Sequence, residues 1–172
     1  MKEFIQLLSQ IALLRRGPQD LPASGLLLAL ALLAYVGVTC VVSSVLPPTR
    51  GWALQVLVTA LFTLLWYVVL LHACRRSERL LQTATALFGL QAVFAPLVTA
   101  SEWLLLRFDE NSAWQVPVEL CALVLAVWLI AASSHVLRTA LEWSSPASVA
   151  LVILQIFATR LLLLTLFPPA RT

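Results

Sequence analysis

Arg160 stands inside the last apolar stretch of the sequence, seven residues before Phe167. A charge at that depth of a membrane costs upward of about 2.5 kcal/mol on insertion scales. Side chains on a helix lean toward its N-terminus, so this one is aimed deeper and away from its nearer interface. A carboxylate partner is the expected remedy. Glu102 closes the third apolar stretch and Glu119 opens the fourth, both at the same end as Arg160. Gln91, Ala95, Val98 and Glu102 recur at helical spacing, forming a stripe that is polar at both ends. The candidate cluster is therefore Arg160, Glu102, Glu119 and Gln91. Such a cluster serves either as a substrate or ion site, or as a buried ion pair that fixes helix register. A single arginine with one or two acids lacks a further relay chain, and the sequence favours the structural role. Glu119 also suits the first turn of a helix that starts at Pro117, where an acid complements the dipole. Gln91 and Gln155 are mid-stretch amides suited to hydrogen bonds between spans.

No other chemistry is spelled out. The sequence has no G-x-S-x-G, H-E-x-x-H, P-loop or C-x-x-C pattern. It also lacks the clustered acids, or the histidine with carboxylates, that lipid-phosphate chemistry needs. Cys40, Cys74 and Cys121 are odd in number, and read as small hydrophobes. His72 and His135 lie near span ends with no acid at metal spacing. The expectation is a protein that is not an enzyme, with no catalytic residues, no cofactor and no metal. No stretch mixes basic and aromatic residues as a nucleic-acid groove would.

The elements that must position the cluster follow from composition. Of 172 residues, 61% are hydrophobic and only 11% are charged, against about 25% charged in soluble domains. A soluble fold of this size could not bury that much apolar surface. The fold class is all-α and polytopic, with five spans at about residues 22–46, 51–74, 80–106, 117–137 and 147–167, in one domain over 22–168. Prolines and glycines punctuate it: Gly17-Pro18, Pro47-Pro48, Ser144-Ser145-Pro146 and Pro168-Pro169. Pro96 is expected to kink the third span. Thr85, Gly89, Ala92 and Pro96 give that span a small-residue face for close helix approach. Ahead of the spans, residues 1–16 place Phe4, Leu7, Leu8, Ile11 and Leu14 on one face. This is too short and too polar to cross, and predicts an amphipathic helix lying in the interface or packed on the bundle's end.

Lys2, Arg15, Arg16, Arg75, Arg76, Arg79 and Arg138 fall on one side of the predicted topology. Only Arg50, Arg107 and Arg171 fall on the other. This asymmetry predicts a bacterial inner-membrane protein with its N-terminus cytoplasmic and its C-terminus periplasmic.

Five spans behind a lead-in that reads Leu14-Arg15-Arg16-Gly17-Pro18-Gln19-Asp20-Leu21-Pro22 resemble the Yip1-like integral membrane proteins, and also small uncharacterised proteobacterial inner-membrane proteins. The eukaryotic Yip1 members carry Asp-Leu-Tyr-Gly-Pro in the lead-in. This chain keeps only Gly17-Pro18, so no functional residue carries over. The resemblance implies a non-enzymatic protein working through partners. The expected function is thus a non-catalytic scaffold or membrane subunit of a larger assembly, touching lipid and other membrane proteins or copies of itself. The alternative is a transporter or channel subunit with a polar site near Arg160. The two differ in one observable: a dry, paired cluster favours the scaffold, and a water-accessible cavity favours transport.

Overall fold

A computed structural model describes residues 9–14, 16–46, 51–108 and 112–168. It is all-α, with five helices long and apolar enough to cross a membrane: α1 (Gly25–Ser43), α2 (Trp52–Ala73), α3 (Leu80–Arg107), α4 (Gln115–Leu141) and α5 (Ser145–Leu166). The chain is a multi-pass membrane protein. Large apolar side chains such as Leu26, Leu33, Phe157 and Leu161 stand exposed on the outside of the bundle, where lipid is their preferred surrounding.

The five spans appear where the apolar runs place them, with edges set by local chemistry. Residues 22–24 stay outside α1, and Ser24 takes the extended N-cap conformation. Gly51 caps the start of α2; its φ of 73° lies in the left-handed region, where glycine avoids the Cβ penalty. α2 ends in a Schellman turn. Arg76 N–H donates to Leu71 O at 2.8 Å and Arg75 N–H to His72 O at 3.0 Å, with Arg75 left-handed at φ 55°.

α3 is the centre of the bundle and packs most extensively on α1 and then α4. Every residue from Thr83 to Leu90 is buried, so this stretch shows no face to lipid. Its two sides belong to different cores. Ala84 and Phe88 pack with Ala31, Tyr35 and Ala60 of α1 and α2, and with Ala92. Ala86 and Leu87 belong to a second cluster with Tyr67, Leu71, Val136, Leu137 and Val152. α1 is thus seated on Ala84, Phe88 and Ala92. Of the expected small-residue face, Thr85 and Gly89 are buried, Ala92 packs beside α1, and Pro96 is exposed.

Where the lead-in is described, it packs against the bundle. Ile11 and Ala12 are buried. Ala12 packs with Leu90, Phe94 and Ala132, and its carbonyl accepts a 2.9 Å hydrogen bond from Trp128 Nε1. Trp128 lies thirteen residues from either end of α4, so the segment reaches the middle of that span. The reason is polar: an indole N–H in the middle of a span has no water to bond to and needs an acceptor, and the carbonyl where the short helix stops at Ala12 supplies one. The chain then returns to the end of the bundle. There Leu21 is buried and its carbonyl accepts from Gln82 Nε2 at 2.7 Å. Phe4, Leu7 and Leu8 lie outside the described residues.

That end, called the basic end below, is tied by a clamp. Arg76 and Arg79 each reach Glu142 at 2.7 Å. Arg79 also donates to Thr139 O and Ala140 O, the last-turn carbonyls of α4 that otherwise have no partner. These guanidinium hydrogen bonds hold the exposed Glu142 carboxyl below the usual carboxylate range. A carboxylate with a depressed folded pKa contributes stability above its unfolded pKa, and that contribution is lost as pH falls through the folded value. Acidification through and below the usual carboxylate range is therefore expected to lower the thermal midpoint more in the wild type than in Glu142→Gln, measured in detergent. Parallel pH profiles would remove the clamp from the account.

Candidate functional site: an intramembrane polar cavity

The helices leave a cavity of about 390 Å³ between them, and all five line it. α1 contributes Tyr35, Thr39 and Ser43; α2 contributes Thr59, Thr63 and Tyr67. α3 contributes the stripe expected from its spacing, with Gln91, Ala95, Val98 and Glu102 all on the cavity wall. α4 adds Ser133, and α5 adds Gln155, Thr159 and Arg160. A second hollow of about 340 Å³ shares Tyr35, Thr39, Thr59, Glu102 and Arg160, and extends toward Trp52 and Gln55.

The cavity has a deep end and a mouth. Tyr67 marks the deep end, six residues from the basic end of α2, or about 9 Å of helix. Its hydroxyl donates to Gln155 Oε1. Behind it the cluster of Leu71, Leu87, Val136, Leu137, Ile11 and Leu21 is closed and apolar. Glu102 and Arg160 are both exposed and lie toward the opposite end, five and six residues from the ends of α3 and α5. They mark the mouth that the described residues outline.

The lining is mixed: Phe94, Leu129, Ile130, Val152 and Ile156 stand among the polar side chains, and those polar groups hold much unused hydrogen-bonding capacity. Thr63 is 2% exposed, Gln155 6% and Ser133 7%. Among the described residues, the side chains of Thr63, Gln91 and Ser133 have no hydrogen-bond partner, and Gln155 uses only its carbonyl oxygen. Thr39 Oγ1 is buried and likewise unpartnered. Buried polar groups are ordinarily satisfied, and amides or hydroxyls left bare in a membrane interior are expensive. A hollow of this size with such groups on its wall accommodates water or a small hydrogen-bonding molecule.

The expected ion pair does not form. No guanidinium nitrogen of Arg160 lies within salt-bridge distance of Glu102 or Glu119; the ion pairs among the described residues are the two of the basic-end clamp. The cause is packing. α5 seats chiefly on α4 and α2, which leaves the cavity between Arg160 and the α3 stripe. Glu119 leaves the cluster altogether. It is exposed, its Oε1 accepts from Gln115 Nε2 at 2.9 Å one turn earlier, and its neighbour Val118 takes the buried direction. Arg160, Glu102 and Gln91 line one cavity, and Glu119 does not. The hydroxyls of Thr39, Thr59, Thr63 and Ser133 were not singled out by spacing as cavity residues. Threonine and serine are ordinary in transmembrane helices, and only the convergence of α1, α2 and α4 brings these four into one lining.

No protein-family model matches the chain, and neither the curated proteins nor the solved structures hold a match to it; its likeness to known proteins is one of architecture, five long apolar helices.

Proposed function

We propose that this protein is a non-catalytic solute-binding subunit of a membrane transport system, with the five-helix cavity as its binding site. The observation that carries this reading is the set of unpartnered polar groups in the lining, with Arg160 and Glu102 facing one cavity without pairing. A scaffold needs helix faces and register pairs. It has no use for buried, unsatisfied hydroxyls and amides, which cost stability. Polar groups within spans that face a shared cavity are the usual mark of a solute path. The positive-inside asymmetry supports a cytoplasmic basic end, so the cavity opens to the other side of an inner membrane. The five-helix architecture, with little mass outside the spans, supports working with partner membrane proteins.

The test is thiol accessibility in a variant whose three native cysteines are replaced. Thr99→Cys lies on the cavity wall and is expected to react with a membrane-impermeant thiol reagent applied to the extracytoplasmic face of whole cells. Leu87→Cys, in the closed core, is expected to stay unlabelled. A Thr99→Cys variant as inert as Leu87→Cys would refute the water-accessible cavity. Labelling only from the cytoplasmic face would reverse the orientation.

A further inference from the structure

We propose that the cavity takes a small zwitterion: its cationic amine goes to Glu102, its acid group to Arg160, and its uncharged hydrogen-bonding body points toward Gln91 and Thr63. This deepens the solute-binding reading and rests on it.

Three observations set the ligand's chemistry. Glu102 and Arg160 line both hollows, and neither has an ion-pair or hydrogen-bond partner among the described residues. Opposite charges facing one hollow within a membrane gain most when something bearing both complementary charges bridges them. A ligand with one charge would satisfy one residue and leave the other worse placed. Deeper in, the wall carries no charge: Thr63, Gln91, Ser133 and Gln155 offer hydroxyls and amides among the apolar Phe94, Leu129, Ile130 and Val152. Thr63, Ser133 and Gln155 are each more than nine-tenths buried, and Thr63 and Ser133 are unpartnered. A neutral site with free hydrogen-bonding groups selects a body that can use them, because an apolar one leaves them unpaired. The charged head therefore sits at the mouth and the neutral end inside. At about 390 Å³ the hollow lies toward the small end of ligand sites.

The same chemistry comes from two sources, a free amino acid or the zwitterionic head of a phospholipid. The full-length protein, purified in detergent, is offered three probes of one skeleton: L-glutamine, its decarboxylated analogue γ-aminobutyramide, and its deaminated analogue glutaramate. L-Glutamine is expected to bind at least tenfold more tightly than either analogue. Arg160→Gln is expected to weaken L-glutamine about tenfold to a hundredfold, the scale of a lost charged hydrogen bond, while leaving γ-aminobutyramide unchanged. Glu102→Gln is expected to do the converse, sparing glutaramate. Nanodiscs of dioleoylphosphatidylethanolamine and of dioleoylphosphatidylglycerol separate the sources: displacement of L-glutamine by the first lipid alone assigns the site to a headgroup, and displacement by neither assigns it to a free solute. An analogue that binds as tightly as L-glutamine overturns the proposal, and so do substitutions that leave all affinities unchanged. Should Arg160→Gln not fold, the ranking of the three probes on the wild type decides. If no probe binds while Thr99→Cys still labels, the zwitterion falls and the cavity stands. If Thr99→Cys is inert as well, both fall.

Discussion

Replacing Ala84 and Ala86 together with leucine is expected to remove a substantial share of the fold's stability. The two alanines lie two residues apart on α3 and face different cores, one with Ala31, Tyr35 and Ala60 and the other with Tyr67, Leu71 and Val136. Both are 0% exposed, so neither larger side chain can turn toward lipid. Overpacking a filled site costs about 1–3 kcal/mol. Two such costs put the pair at up to about 2–6 kcal/mol, against typical totals of about 5–15 kcal/mol. Val93→Leu, on the lipid-exposed side of the same helix, is expected to stay within about 0.5 kcal/mol. Thermal unfolding in detergent, with size-exclusion chromatography to follow monodispersity, gives the comparison. A double variant as stable as Val93→Leu would mean that α3 is not the packed centre.

The second large effect belongs to the cavity. Ala95 lies on its wall, seven residues deeper than Glu102 along α3, or about 10 Å at 1.5 Å per residue. An indole at this position projects into the path between mouth and floor. In the cysteine-replaced background, Ser133→Cys is expected to react with a small thiol reagent. Adding Ala95→Trp is expected to slow that reaction at least tenfold while Thr99→Cys, nearer the mouth, keeps its rate. The protein should remain folded, because the new ring enters space that no side chain occupies. Unchanged labelling of Ser133→Cys would show that the deep end is reached by another route.

Much of this architecture is legible in residue order, because a bilayer makes span length and apolarity obligatory. The α3 stripe was legible for the same reason: Gln91, Ala95, Val98 and Glu102 share a face of any helix, and they share the cavity wall here. What spacing could not supply was rotation and distance between helices. Glu119 and Glu102 are equivalent as sequence, near the same end of adjacent spans. Yet one turns outward to Gln115 and the other lines the hollow. The pairing of Tyr67 with Gln155 spans 88 positions and leaves no local trace. The lead-in was legible as amphipathic. Its burial was not, since an apolar face looks the same whether its neighbour is lipid or another helix.

The seat of the lead-in bears on how the protein is made. Residues 9–21 leave the ribosome before α3 and α4 exist, yet Ala12 packs on Leu90, Phe94 and Ala132, and its carbonyl meets Trp128. An early piece of chain thus depends on partners synthesised some eighty to a hundred and twenty residues later. Until the fourth span is inserted, Ile11 and Ala12 must wait at the membrane surface or under a chaperone. Their docking is then a closing step in biogenesis, set by translation order as well as by affinity. A bulky fusion that held this segment back would leave five inserted helices with the groove between α3 and α4 unfilled: a protein correctly threaded through the membrane and still unfinished.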